Sequence, residues 1–99
     1  MPAKFSFDVR VAKGFPARLG EVQYETDGRL NLKKLLAEAL QKLKRDGPDA
    51  GAPHGVLGDY EVPLGTDYLL IYSWETERDE QKRPLADHVY LLTIKKVAK

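Results

Sequence analysis

The last forty residues constrain the fold most tightly. In residues 60–64, Tyr60, Val62 and Leu64 share one face and Glu61 and Pro63 the other, the period-two pattern of a half-buried strand. Residues 68–74 (YLLIYSW) are almost wholly apolar, and so are residues 88–97 (HVYLLTIKKV). Apolar runs of strand length read as central strands covered on both faces. Gly65, Thr66 and Asp67 make a tight turn between the first two. The charged residues 75–87 make a hairpin tip with extended arms between the last two. Links of hairpin length join antiparallel neighbours. The C-terminal part is therefore a three-stranded meander, and Pro63 places its first strand at an edge.

A helix precedes the meander. Leu32, Leu35, Leu36, Ala39, Leu40 and Leu43 recur at helical spacing over residues 32–45. Asn31 is a fitting N-cap, Lys42, Lys44 and Arg45 suit the last turns, and Gly47 with Pro48 is a stop signal. Upstream, residues 4–11 alternate strictly, with Phe5, Phe7, Val9 and Val11 opposite Lys4, Ser6, Asp8 and Arg10. Residues 12–28 contain Gly14, Pro16, Gly20 and Gly28, which argue against a long helix. Val22 and Tyr24 alternate with glutamates and Gln23, so a short strand ending at the Asp27-Gly28 turn and pairing with the first strand is expected. The alternative places Phe15 and Leu19 on one face of a short helical turn. Residues 48–58 read as a loop. The expected order is β-β-α-β-β-β, an α+β domain over residues 1–99 with one long amphipathic helix on a four- to five-stranded, mostly antiparallel sheet.

Composition excludes some classes. The longest apolar run, Tyr68 to Tyr72, is far short of a membrane span, and the N-terminus lacks the apolar core of a signal peptide. The absence of cysteine excludes disulfides and thiolate metal sites and fits a reducing cytoplasm. A net charge of +1 gives no global drive towards nucleic acid. The charge is uneven, however. Residues 29–46 hold six basic and two acidic residues, and residues 75–87 hold five acidic and three basic.

Few residues suggest chemistry. His54 and His88 are the only histidines, and neither has a partner at metal-ligand spacing. Ser6 and Ser73 fall in strands outside any nucleophile motif, and the glycines match no phosphate loop. No metal or cofactor is expected. The acidic run from Glu75 to Glu80 lacks the spaced oxygens of a calcium loop and reads as a solvated hairpin tip, or as a protein-binding surface that mimics negative charge. Basic residues (Arg78, Lys82, Arg83, Lys95, Lys96, Lys99) interleave with sheet aromatics (Tyr60, Tyr68, Tyr72, Trp74, Tyr90), a combination that can stack bases and hold phosphates or simply form a core with a soluble edge.

Helix and meander together resemble the RelE/ParE/HigB-type toxins of bacterial toxin–antitoxin modules over residues 36–97. The matching elements are a helix ending L-x-x-x-G-P (Leu43 to Pro48), then L-G-x-Y-E-V-x-L (Leu57 to Leu64). D-Y-L-L-I-Y (Asp67 to Tyr72) follows, then an apolar strand ending in basic residues (Val89 to Lys96). The resemblance implies a strand, helices and a curved antiparallel sheet, cutting of mRNA on the ribosome or action on gyrase, and an antitoxin segment that wraps the protein. It would make His88, Tyr90, Lys95 and Lys96 active-site members. The family usually has two helices after its first strand, a basic residue within the strand that reads Leu69-Leu70-Ile71 here, basic groups near Glu61 and Pro63, and a strongly basic chain.

Two functional readings follow. The first is a small non-enzymatic module, of phage or mobile-element type, that binds or inhibits a protein partner. Its candidate contact residues are Lys33, Lys34 and Arg45 on the helix and Glu75, Glu77, Asp79 and Glu80 in the hairpin, and a strand edge offers a route to a homodimer. The alternative is a toxin-like protein that acts on RNA through His88, Tyr90, Lys95 and Lys96. The first is preferred, because the groups needed for chemistry are not visibly assembled.

Overall fold

The computed structural model describes residues 6–54 and 59–97. The element order is β1 (Asp8–Val11), α1 (Phe15–Glu25), α2 (Leu32–Asp46), a 3-10 turn at Gly47–Ala50, β2 (Ala52–His54), β3 (Asp59–Leu64), β4 (Tyr68–Arg78) and β5 (Pro84–Lys96). The strands form one sheet in the order β1-β5-β4-β3-β2. The β3-β4-β5 meander is antiparallel throughout, and β2 adds antiparallel to β3. Strand β1 lies parallel to β5, with Asp8 beside His88 and Val11 beside Leu91. The class is α+β with two helices among the described residues, which corrects the single helix; the sheet is mixed, its three antiparallel pairings joined by one parallel pairing that was not expected.

The second helix is the main departure from the β-β-α-β-β-β order. Residues 15–25 form α1: the short strand expected through Val22 and Tyr24 is helical, and the alternative, Phe15 and Leu19 on one helical face, holds over a longer helix. Phe15, Leu19 and Val22 fall on one helical stripe; Phe15 and Val22 are buried and Leu19 packs against the core. Pro16 sits in the first turn, where its missing N–H costs nothing. Gly20 has open space around it and is simply tolerated in the helix interior, at about 1 kcal/mol relative to alanine. Tyr24, the other half of the apparent alternation, is 88% exposed. Packing outweighs the breaker residues. Arg18 adds a polar anchor, donating from Nε to the Ile94 carbonyl of β5 at 2.7 Å. The helix stops where Asp27 and Gly28 turn left-handed (φ 53° and 70°) and the Gly28 N–H returns to the Gln23 carbonyl.

Helix α2 follows its leucine pattern. The Asn31 side chain accepts from the Lys34 N–H at 3.2 Å, and Gly47 ends the helix at φ 68°. Leu32, Ala39 and Leu43 are buried, with Leu35, Leu36 and Leu40 packed beside them. These residues join Phe15 and Val22 of α1 over Val62, Leu64, Tyr68, Leu70, Tyr72, Val89, Leu91 and Ile94 of the sheet. All eight sheet residues share one face. The register keeps them there by skipping Leu92: Ile71 pairs with Thr93 and Tyr72 with Leu91.

Two further expectations change. The region 48–58, read as a loop, contains the 3-10 turn and β2; residues 55–58 lie outside the described residues. Short β2 pairs only with Asp59 to Glu61, so Pro63 occupies the part of β3 left as a free edge. Gly51 is held by space: a Cβ there would lie 2.5 Å from both the Glu61 carbonyl oxygen and the Tyr72 Oη. The apolar density of β4 and β5 suggested cover on both faces. Among the described residues both helices pack on one face; the other face carries no helix, although Ile71 and His88 there are only 4% and 8% exposed.

Candidate functional site

The uncovered face of the sheet gathers most of the polar strand residues. Strand β1 contributes Asp8 and Arg10, β4 contributes Ser73, Glu75 and Glu77, and β5 contributes His88, Tyr90 and Lys95. At the base of the hairpin, Arg10, Glu75, Thr76, Glu77, His88 and Tyr90 line a shallow depression of about 330 Å³.

His88 is the centre of this group and is only 8% exposed. Its Nε2 lies 3.1 Å from the Glu77 carboxylate, and its Nδ1 lies 3.7 Å from Asp8, at ion-pair rather than hydrogen-bond distance. The imidazole therefore sits between acids from β1 and β4; its Nε2 engages Glu77 of β4, whereas the buried Nδ1 has no hydrogen-bond partner among the described residues. Arg10 reaches the Tyr90 hydroxyl at 3.5 Å. Of the formal charges on this face, Asp8, Asp59, Glu61, Glu75 and Glu77 outnumber Arg10 and Lys95, so the surface is net acidic.

The hairpin beyond this depression is an ordered arm. None of residues 75–87 is buried, so the arm adds nothing to the core. Its tip is nevertheless closed tightly. Asp79 Oδ1 accepts from the Gln81 and Arg83 backbone N–H groups at 2.8 and 2.9 Å, and Oδ2 accepts from Arg83 Nε at 2.9 Å. These donors, the Arg83 N–H foremost, hold the Asp79 pKa below its ordinary value against a smaller opposing effect of burial. Thr76 and Asp87 close a cross-strand hydrogen bond of 2.7 Å lower on the arm. Two tyrosines on the helix-covered face are also perturbed. Burial pushes Tyr72 up to about 12, with the Gly51 backbone pulling weakly the other way. Burial, then a 3.1 Å hydrogen bond donated to Glu25, raises Tyr68.

The residues singled out in the sequence divide into separate groups. His88, Tyr90 and Lys95 share the uncovered face, whereas Lys96 pairs with Tyr68 and belongs to the opposite face. Because of the bulge at Leu92, Tyr90 and Lys95 pair with Ser73 and Leu69, four residues apart on β4, roughly 13 Å at ~3.3 Å per residue. One phosphate cannot meet both ends. The glutamates Glu75 and Glu77 join the depression, Asp79 is consumed in locking the tip, and Glu80 is exposed beside it. Lys33, Lys34 and Arg45 lie on the outer side of α2, across the sheet from the depression, and Arg45 pairs with its neighbour Asp46 at 3.2 Å. Asp8 and Arg10 were missed as site residues. Their alternation was visible, but their placement beside His88 and Tyr90 depends on a parallel contact across most of the chain length. Among the described residues no group of three His, Asp or Glu is arranged to hold a metal ion.

No model of a known protein family matches the chain, and no curated protein matches it in sequence. Among the described residues no helix is long and apolar enough to cross a membrane.

Proposed function

We propose that this protein is a small non-enzymatic binding module, and that its acidic sheet face and hairpin arm dock on a basic surface of a partner protein. One observation carries the reading. A tightly closed arm with no buried residue projects beside a depression lined by Glu75 and Glu77, and neither feature serves the core. Cutting RNA calls for a base together with cations that meet the developing phosphate charge. Here the imidazole Nε2 is engaged by Glu77, and Arg10 and Lys95, the cations of this face, stand far apart. An acidic face also opposes the counterion release that favours RNA binding. The test is partner capture with immobilised protein. Glu75→Lys with Glu77→Lys should abolish capture of a stoichiometric partner, and raised salt should weaken it. Capture that survives both changes refutes the reading.

The RelE/ParE-like alternative is supported by one observation. Two helices follow the first strand, the number its resemblance implies. Under that reading, expression arrests growth of a bacterial host, and His88→Ala or Tyr90→Ala relieves the arrest. Full growth with the wild-type chain refutes it.

A further inference from the structure

Among the described residues strand β1 is an edge of the sheet, and its outward side is self-complementary. The Ala12 N–H bonds the Leu91 carbonyl at 2.9 Å, so the even-numbered residues Asp8 and Arg10 turn their backbone groups towards β5. The N–H and C=O groups of Val9 and Val11 then point outward, along the open edge. Their side chains are 41% and 52% exposed, which shows that the helices leave this margin of the sheet uncovered.

We propose that β1 pairs antiparallel with β1 of a second copy of this chain, joining the two sheets into one about a two-fold axis at Val9. This proposal is independent of the partner-binding reading. In that register Val9 faces Val9 of the second copy, and the two residues exchange both backbone hydrogen bonds. Phe7 faces Val11 across the axis and its outward groups pair in the same way. The even positions fall into the closer, non-hydrogen-bonded sites. Asp8 therefore stands directly opposite Arg10 of the second copy, and Arg10 opposite Asp8. The side chain of Asp8 is 69% exposed, and its 3.7 Å approach to His88 leaves it able to take a second partner. Arg10 is exposed as well, with only a 3.5 Å contact to Tyr90. Opposite charges in both cross-strand sites, with valines on the other face, make the contact isologous and closed. No other register of β1 on itself places both charges against their opposites.

The test is the solution mass of the intact chain over a concentration series. The wild type is expected to approach twice its 11.2 kDa mass. Asp8→Arg or Arg10→Asp alone puts like charges opposite one another and should weaken association by at least about tenfold. The double exchange, Asp8→Arg with Arg10→Asp, should restore it. An equimolar mixture of the two single variants should also restore it, as a heterodimer. The mixture also shows that both variants are folded and competent to pair. A monomeric wild type, a dimer indifferent to the single changes, or failure of both the double exchange and the mixture to restore the dimer overturns the proposal.

Discussion

Replacing Arg18 by methionine tests whether α1 is anchored to the sheet by a polar contact as well as by its apolar stripe. Strand β1 ends beside Leu91, and beyond it the β5 edge would leave the Ile94 carbonyl open. Arg18 Nε fills that vacancy at 2.7 Å. A hydrogen bond from a charged donor is worth about 1.5–3 kcal/mol. The same guanidinium lies 3.4 Å from Glu25 and 3.9 Å from Glu21, both substantially exposed, and such pairs add roughly 0.2–1 kcal/mol each. Arginine and methionine have similar helix propensities, so the backbone term cancels. The expected loss is about 2–3 kcal/mol, or roughly 10–20 °C in Tm for a domain of this size. Urea unfolding followed by circular dichroism should show a lower midpoint with an unchanged slope. Glu25→Gln alone should cost less than about 1 kcal/mol. A loss for Arg18→Met below about 0.5 kcal/mol would contradict this anchor, because it would leave the helix held by its apolar stripe and the Tyr68–Glu25 hydrogen bond without help from Arg18.

Three further outcomes are expected. Gly51→Ala forces a Cβ to within 2.5 Å of the Glu61 carbonyl and the Tyr72 hydroxyl, and should destabilise by about 1–3 kcal/mol in the same urea assay. Because folding raises the Tyr72 pKa to about 12, its contribution is complete below the ordinary tyrosine pKa and is lost as pH rises through 12; up to about 2–3 kcal/mol should disappear over that interval, and Tyr72→Phe should flatten the alkaline fall. Asp79→Ala removes the acceptor shared by the Gln81 and Arg83 amides, so amide exchange at those two positions should accelerate while the thermal midpoint of the core stays unchanged.

The meander and α2 were legible because their signals are local. Leu32 to Leu43 repeat at one period, and the strands of the meander are joined by short links whose turn residues are explicit. Helix α1 was hidden because its breakers and the chance alternation of Val22 with Tyr24 outweighed a short stripe, and only docking on the sheet reveals which of the two is buried. The parallel β1–β5 pairing was illegible for a related reason: nothing within residues 8–11 states which strand, some eighty positions on, lies beside them. The site inherited that gap. Glu75, Glu77, His88 and Tyr90 were singled out, but Asp8 and Arg10, which complete the face, become visible only through the register. The separation of Lys96 from Lys95 follows from strand alternation alone. The bulge at Leu92, which places Lys95 on the face of Tyr90, does not.

The most direct test of the binding account is site-specific photo-crosslinking in the host cell, with a photoreactive residue placed at Glu77 in one variant and at Lys34 in another. The two positions lie on opposite sides of the sheet and are both exposed. The account predicts a discrete crosslink to a different protein from position 77, lost when Glu75→Lys is added, and none from position 34. A crosslink from position 34 alone, or an RNA adduct from position 77, would contradict it.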